Sequence, residues 1–163
     1  MIPVGPGAPR SGIIGSMNAM NAANAAPASS LDVRGPRFGA VLTTVVLAAV
    51  LVTGSGWLLA VQAVVFATGA AAGVRRSPYG WLFATVVRPR LGPTQETEDP
   101  APPRFAQAVG LVFALIGLVG YFAGPLWLGM AATGCALAAA FLNAAFGYCL
   151  GCEMYLLFRR ATG

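Results

Sequence analysis

Histidine and lysine are both missing from the sequence, and only 9% of its 163 residues are charged. Without histidine the chain cannot build a His-ligated haem, a His-ligated zinc or a Ser-His-Asp triad from its own residues. General acid–base work would fall to a few carboxylates or thiols. An average soluble domain carries about 25% charged residues. Here 57% of residues are hydrophobic, and so much apolar surface without a polar coat has to face lipid. The basic residues are ten arginines, set against Asp32, Glu96, Glu98, Asp99 and Glu153, for a net charge of +5. In a chain this apolar, such charge reads as orienting a membrane protein, and no nucleic-acid partner is expected. The two thiolates of Cys149 and Cys152, one nearby Glu153 and no histidine do not complete a four-ligand structural zinc site in one chain. A homodimer pooling four thiols is the one route to such a site, and no metal or cofactor is expected.

Residues 1–30 are rich in Ala, Gly, Pro, Asn and Ser and read as a disordered tail, with Met17 and Met20 as alternative starts. The apolar run 38–53 is a first span of about 16 residues, near the lower limit for about 30 Å of hydrocarbon. Gly54-Ser55-Gly56 is an uncharged turn, and 57–74 is a second span containing Gly69-x-x-x-Gly73, a spacing that lets helices approach closely. Residues 77–87 form a short amphipathic helix lying flat in the interface, with Tyr79, Trp81 and Phe83 among its apolar positions. A Pro-rich loop with an acidic cluster covers 88–103. Residues 105–122 are a third span, Gly124-Pro125 a second uncharged turn, and a fourth span begins at Leu126.

Pro36-Arg37-Phe38 recurs as Pro103-Arg104-Phe105, each followed by a span, a Gly-containing turn, a Trp and a second span. The expected fold class is therefore an all-α membrane protein: four transmembrane helices as two parallel-repeat helical hairpins, plus the interfacial amphipathic helix. The halves cover about 34–90 and 101–160, with 161–163 as a C-terminal tail. The charged residues all fall before span one, between spans two and three, or after span four. The positive-inside rule then puts both termini and the central loop in the cytoplasm of a plasma-membrane protein. Asp32 is expected to pair with Arg34 and Arg37. Thr43, Thr44, Gln62, Gln107 and Asn143 are expected to hold helices together by hydrogen bonds.

The stretch able to carry chemistry is Gly147-Tyr148-Cys149-Leu150-Gly151-Cys152-Glu153. In the first half the corresponding residues are Ser77-Pro78-Tyr79-Gly80. If one helix runs unbroken over 126–160, it is about 50 Å long and the thiols lie near its C-terminal end. There the helix dipole opposes thiolate formation, and Glu153 adds negative charge. If the helix breaks near Gly147 and a new one starts around Tyr148–Cys149, the thiols are activated. A reducing cytosol disfavours a permanent disulfide. Cys149 and Cys152 are then either a working dithiol or sulfur carrier, or interfacial packing residues. Cys135 reads as a small packing residue.

Residues 31–38, 76–80, 103–110 and 141–153 together resemble domain-of-unknown-function family 4395, a family of small bacterial membrane proteins. The resemblance spans 31–160. It implies a multi-pass plasma-membrane protein with no established activity, whose members are often encoded near thioredoxin-like proteins or sulfurtransferases. The leading function is a thiol or sulfur relay through Cys149 and Cys152, with Glu153 beside them and a soluble thioredoxin-like or sulfurtransferase partner. The alternatives are a non-catalytic anchor docking a partner through Arg75, Arg76, Arg88 and Arg90, and a small-anion transport component. A homo-oligomer is compatible with all three.

Overall fold

A computed structural model describes residues 31–92 and 96–162. The tail 1–30, expected to be disordered, and Gly163 lie outside the described residues. Helix α1 (Arg34–Thr53) is followed by α2 (Gly56–Ala72), a 3-10 turn (Val74–Arg76), α3 (Pro78–Leu82), a π-turn (Phe83–Val87) and α4 (Arg88–Leu91). Then come α5 (Ala101–Phe122), α6 (Leu126–Phe146) and α7 (Leu150–Thr162). Two-residue strands β1 (Leu31–Asp32) and β2 (Thr97–Glu98) pair antiparallel, Leu31 opposite Glu98.

Helices α1, α5 and α6 are long and apolar enough to cross a membrane, with mean hydropathies of 1.8, 2.0 and 1.6. Helix α2 is apolar but has 17 residues. The expected spans are thus met at full length in three helices. Many large apolar side chains point outward, among them Val45, Val61, Leu115 and Val119, a surface that fits lipid and not water.

Each turn is written in local chemistry. Gly54 ends α1 in the left-handed region, its N–H donating to Val50 O at 2.8 Å, and Ser55 Oγ then accepts the Leu58 N–H at 3.3 Å to start α2. The four long helices pack α1 on α2, α2 on α5, α5 on α6 and α6 on α1. Leu47, Val50, Leu59, Ala63, Phe66, Ala114 and Ala136 form the core among them. The closest approach is α5 on α6, where a Cβ on Gly120 would overlap the Gly129 backbone. Of the Gly69-x-x-x-Gly73 pair, Gly69 lies under the Gln107 side chain, whereas Gly73 ends α2 at φ +90°. Gln62 is fully buried: its Nε2 donates to Thr43 Oγ1 at 3.4 Å, and its Oε1 accepts from the Tyr79 hydroxyl at 2.7 Å. Hydrogen-bond glue therefore holds for Thr43 and Gln62, while Thr44 bonds back to Ala40 O within its own helix.

The two copies of Pro-Arg-Phe make matching contacts. Arg37 Nε and Nη2 donate to Ala144 O and Ala145 O, both at 3.2 Å, at the end of α6. Arg104 Nη2 donates to Ala70 O at 3.1 Å and Ala71 O at 2.9 Å, at the end of α2. Phe38 stacks on Phe83 and Phe105 on Tyr155, at centroid distances of 5.8 and 5.7 Å.

Several local expectations need correction. Asp32 caps rather than pairs: its Oδ1 accepts the Arg34 backbone N–H at 3.0 Å, as Asp99 Oδ1 accepts that of Ala101 at 2.9 Å. The short carboxylate reaches the nearest orphan N–H of a helix start before it reaches a guanidinium. The helix expected over 77–87 runs on to Leu91 through residues expected in the loop. Pro89 removes an N–H and crowds the preceding turn, which widens so that the Arg88 N–H reaches Phe83 O. The expected tail at 161–163 is helical through Thr162, whose hydroxyl bonds Phe158 O.

Two tests follow from these contacts. Arg104→Ala should cost about 1–2 kcal/mol from lost charged hydrogen bonds and dipole complementarity, and Arg104→Lys should restore only part of it, because an ammonium cannot fork across two carbonyls; thermal unfolding in lipid reads both. Burial in the β1–β2 pairing raises the Glu98 carboxyl above its ordinary value. Its ionised form therefore opposes the pairing, which is firmest in acid and loosens as pH climbs through the ordinary carboxylate range to the raised value. Amide exchange across 31–32 and 97–98 should show that pH dependence in the wild type and lose it in Glu98→Gln.

Candidate functional site

The thiol motif sits where α6 ends and α7 begins. Gly147 adopts φ +70°, and its N–H donates to Asn143 O at 3.0 Å. That left-handed residue stops the helix, and Arg37 takes up the carbonyls of Ala144 and Ala145 that the stop leaves without donors. An unbroken helix over 126–160 is therefore not what forms.

Helix α7 then starts on Cys149. Its carbonyl accepts the Glu153 N–H at 3.0 Å, the first bond of the new helix. Its Sγ accepts the Cys152 backbone N–H at 3.3 Å, in the manner of a capping side chain. Cys149 and Cys152 are joined as a disulfide, with their Cα atoms 5.2 Å apart. Both are half-buried, and the start of α7 presses on α5, Gly151 against Ala106. The pair thus occupies the N-terminus of a helix, where backbone N–H groups and the positive end of the dipole favour a thiolate.

The first half has the same device without sulfur. After Gly73, Ser77 Oγ accepts the Gly80 N–H at 3.1 Å and starts α3. A Cβ on Gly80 would run into Val74 O, so that position has no room for a larger residue.

A cavity of about 340 Å³ opens among α1, α2, α5, α6 and α7, with Cys149 on its wall. Thr43, Phe66, Gln107, Phe113 and Asn143 line it, and no lining residue is charged. Cys135, read from the sequence as a small packing residue, also borders it as an exposed free thiol. Among the described residues neither the Gln107 nor the Asn143 side-chain amide has a hydrogen-bond partner, so these two do not act as the interhelix glue expected of them.

Glu153 is exposed in the first turn of α7. The four expected docking arginines lie elsewhere: Arg75 and Arg76 on the 3-10 turn, Arg88 and Arg90 on α4, all exposed. Sequence reasoning found the thiol pair and the repeated Arg, but it set Arg37 beside Asp32 and gave Arg104 no task. Their signal was the repetition of Pro-Arg-Phe from the third residue of each helix.

The break at Gly147 makes a specific demand on reactivity. In the reduced, membrane-embedded protein, Cys149 should be alkylated by a water-soluble maleimide well below the usual thiol range near pH 8.5, and Cys152 should not. Gly147→Val, which strains a positive φ, should move the Cys149 profile back towards ordinary thiol behaviour.

Comparison with known proteins gives one match. The family model described as Domain of unknown function (DUF4395) matches residues 31–160. No curated protein and no solved structure matches the chain. With four-fifths of its length inside that match, the chain belongs to the DUF4395 family.

Proposed function

We propose that the protein is a thiol–disulfide exchange protein embedded in the bacterial plasma membrane, working through Cys149 and Cys152. The observation that carries this reading is the placement of Cys149 at the start of α7, its sulfur accepting the Cys152 N–H. A thiolate there is a good nucleophile and, once in a disulfide, a good leaving group. A soluble partner's thiolate attacks Cys152 Sγ, forming a mixed disulfide and releasing Cys149 as thiolate. The partner's second thiol then closes its own disulfide and frees Cys152. Electrons pass from the partner dithiol to the membrane pair. A thioredoxin-like protein is the partner class that fits, and a sulfurtransferase would use the same thiolate to take sulfane sulfur.

In this reading α2 also spans, with its ends held at the interface by the Arg104 clamp and the Trp57–Phe122 contact. The matching contacts of Arg37 and Arg104 support two parallel halves, and the clustering of charge away from the Gly54 and Gly124 turns supports cytoplasmic termini. Anion transport loses ground, because the cavity wall carries no charge to draw an anion inwards. The anchor reading keeps one observation in its favour: Arg75, Arg76 and Trp81 border a single surface depression.

The leaving-group order predicts an asymmetry. With a thioredoxin that keeps only its attacking cysteine as the soluble probe, the oxidised wild type should form its mixed disulfide at Cys152 and not at Cys149, with Cys149 released as thiol, as read by peptide mapping under non-reducing conditions. Exchange with an ordinary thioredoxin at the wild-type rate in both Cys149→Ser and Cys152→Ser would sink the relay and leave the anchor.

A further inference from the structure

The dithiol needs somewhere to send its electrons. Among the described residues of one chain no group of three or more His, Cys, Asp or Glu side chains could hold a metal, and a small molecule that enters beside Cys149 is an acceptor this site could use. The cavity beside Cys149 suggests what it is. It runs from Leu150 and Gly151 at the start of α7 to Phe66 and Phe113, which lie about 9–18 Å along their helices from that end at 1.5 Å per residue. Its walls come from helices whose outer faces suit lipid. Its volume of about 340 Å³ is in the range of small-molecule sites, about 300–1,000 Å³. Most of its lining is Ala, Phe, Val, Pro and Leu, with the partnerless amides of Gln107 on α5 and Asn143 on α6 among them.

Resting on the reading of Cys149 and Cys152 as a redox pair, we infer that this cavity binds the head group of a lipid-soluble quinone, which takes the electrons of the dithiol. The chemistry of the lining selects this class. A quinone ring is flat and apolar and dissolves in the bilayer. It carries two carbonyl oxygens that accept hydrogen bonds and no charge. Two half-buried side-chain amides without hydrogen-bond partners, in a largely apolar cavity, can donate to those carbonyls. A phosphate or carboxylate ligand would find no cation on the wall.

The step balances without a further reagent. The Cys149 thiolate adds to a ring carbon, forming a C–S bond. The Cys152 thiolate attacks Cys149 Sγ; the S–S bond forms, the C–S bond breaks, and its electron pair stays on the ring. Two protons, the two the thiols have given up, complete the quinol. Two thiols lose two electrons and one quinone gains them. The partner dithiol then re-reduces the pair at Cys152, the sulfur absent from the cavity wall. Cys149 thus faces the quinone while Cys152 faces the partner.

The test uses the full chain in phospholipid nanodiscs, reduced and freed of reductant under argon. Ubiquinone-1 is the probe, because its fully substituted ring cannot be permanently arylated by stray thiols. Loss of quinone absorbance is followed alongside maleimide-accessible thiols, and oxidised glutathione serves as a water-soluble comparison. The expected result is one quinone consumed per two thiols lost. Ala139→Phe and Ala140→Phe, which fill the cavity from α6, should slow that reaction by at least about tenfold while exchange with glutathione continues, which also shows that they are folded. Asn143→Leu should raise the quinone concentration needed for half-maximal rate. If the wild type exchanges with glutathione but not with quinone, as when a lipid chain merely fills the cavity, the inference fails and the relay stands. If both filled variants react with quinone at the wild-type rate, oxidation happens outside the cavity and the inference again fails. If the wild type reacts with neither oxidant, relay and quinone fall together.

Discussion

A helix that ends leaves its last carbonyls without donors, and this chain answers at two of its helix ends with an arginine from another helix. Arg37 meets the end of α6 and Arg104 the end of α2. Each guanidinium supplies several donors and a positive charge against the negative end of a dipole. With the carbonyls satisfied, a single glycine at positive φ can stop the helix and turn the chain into the next one. The end of α6, just before Cys149 starts α7, is thus met by Arg37, more than a hundred residues earlier.

The two ends of the repeat show what sulfur adds. Ser77 and Cys149 both follow a clamped helix end, and both accept an N–H from the residue three further on. The hydroxyl at Ser77 is buried and also bonds Val74 O, which makes it a structural cap. Cys149 is half-buried and borders a cavity, and its partner position holds a second thiol where the first half has only a glycine. The capping is alike at the two helix starts, and only the second carries sulfur.

Hydropathy and charge made the long apolar helices, their turns and the chemical motif legible in the sequence. The break at Gly147 was open, because Gly147-x-x-x-Gly151 permits both a continuous helix and a stopped one. The stop is made by Gly147 at positive φ with the Gly147 and Tyr148 N–H groups on Asn143 O and Leu142 O, and the guanidinium that then takes up the next carbonyls lies in no local window. The capping of Asp32 and Asp99 was obscured by nearby arginines that invite an ion-pair reading. The widened turn before Pro89 follows from backbone crowding, which composition does not report. The cavity was out of reach altogether: Gln107 and Asn143 look like ordinary interhelix polar residues until five helices leave them facing one space.

The clamps also have an order in time. The Arg104 acceptors, Ala70 and Ala71, precede it by 34 and 33 residues, whereas Arg37 must wait for Ala144 and Ala145, 107 and 108 residues further on. At the usual pace of synthesis, about 5–20 residues per second, that wait is roughly 5–20 s. Throughout it the first helix carries a charged side chain without its destination, in a membrane where the last helix has yet to arrive. The thiol site is consequently the final part of the molecule to take shape, and a nascent chain lacking α6 has no capped end from which α7 could begin.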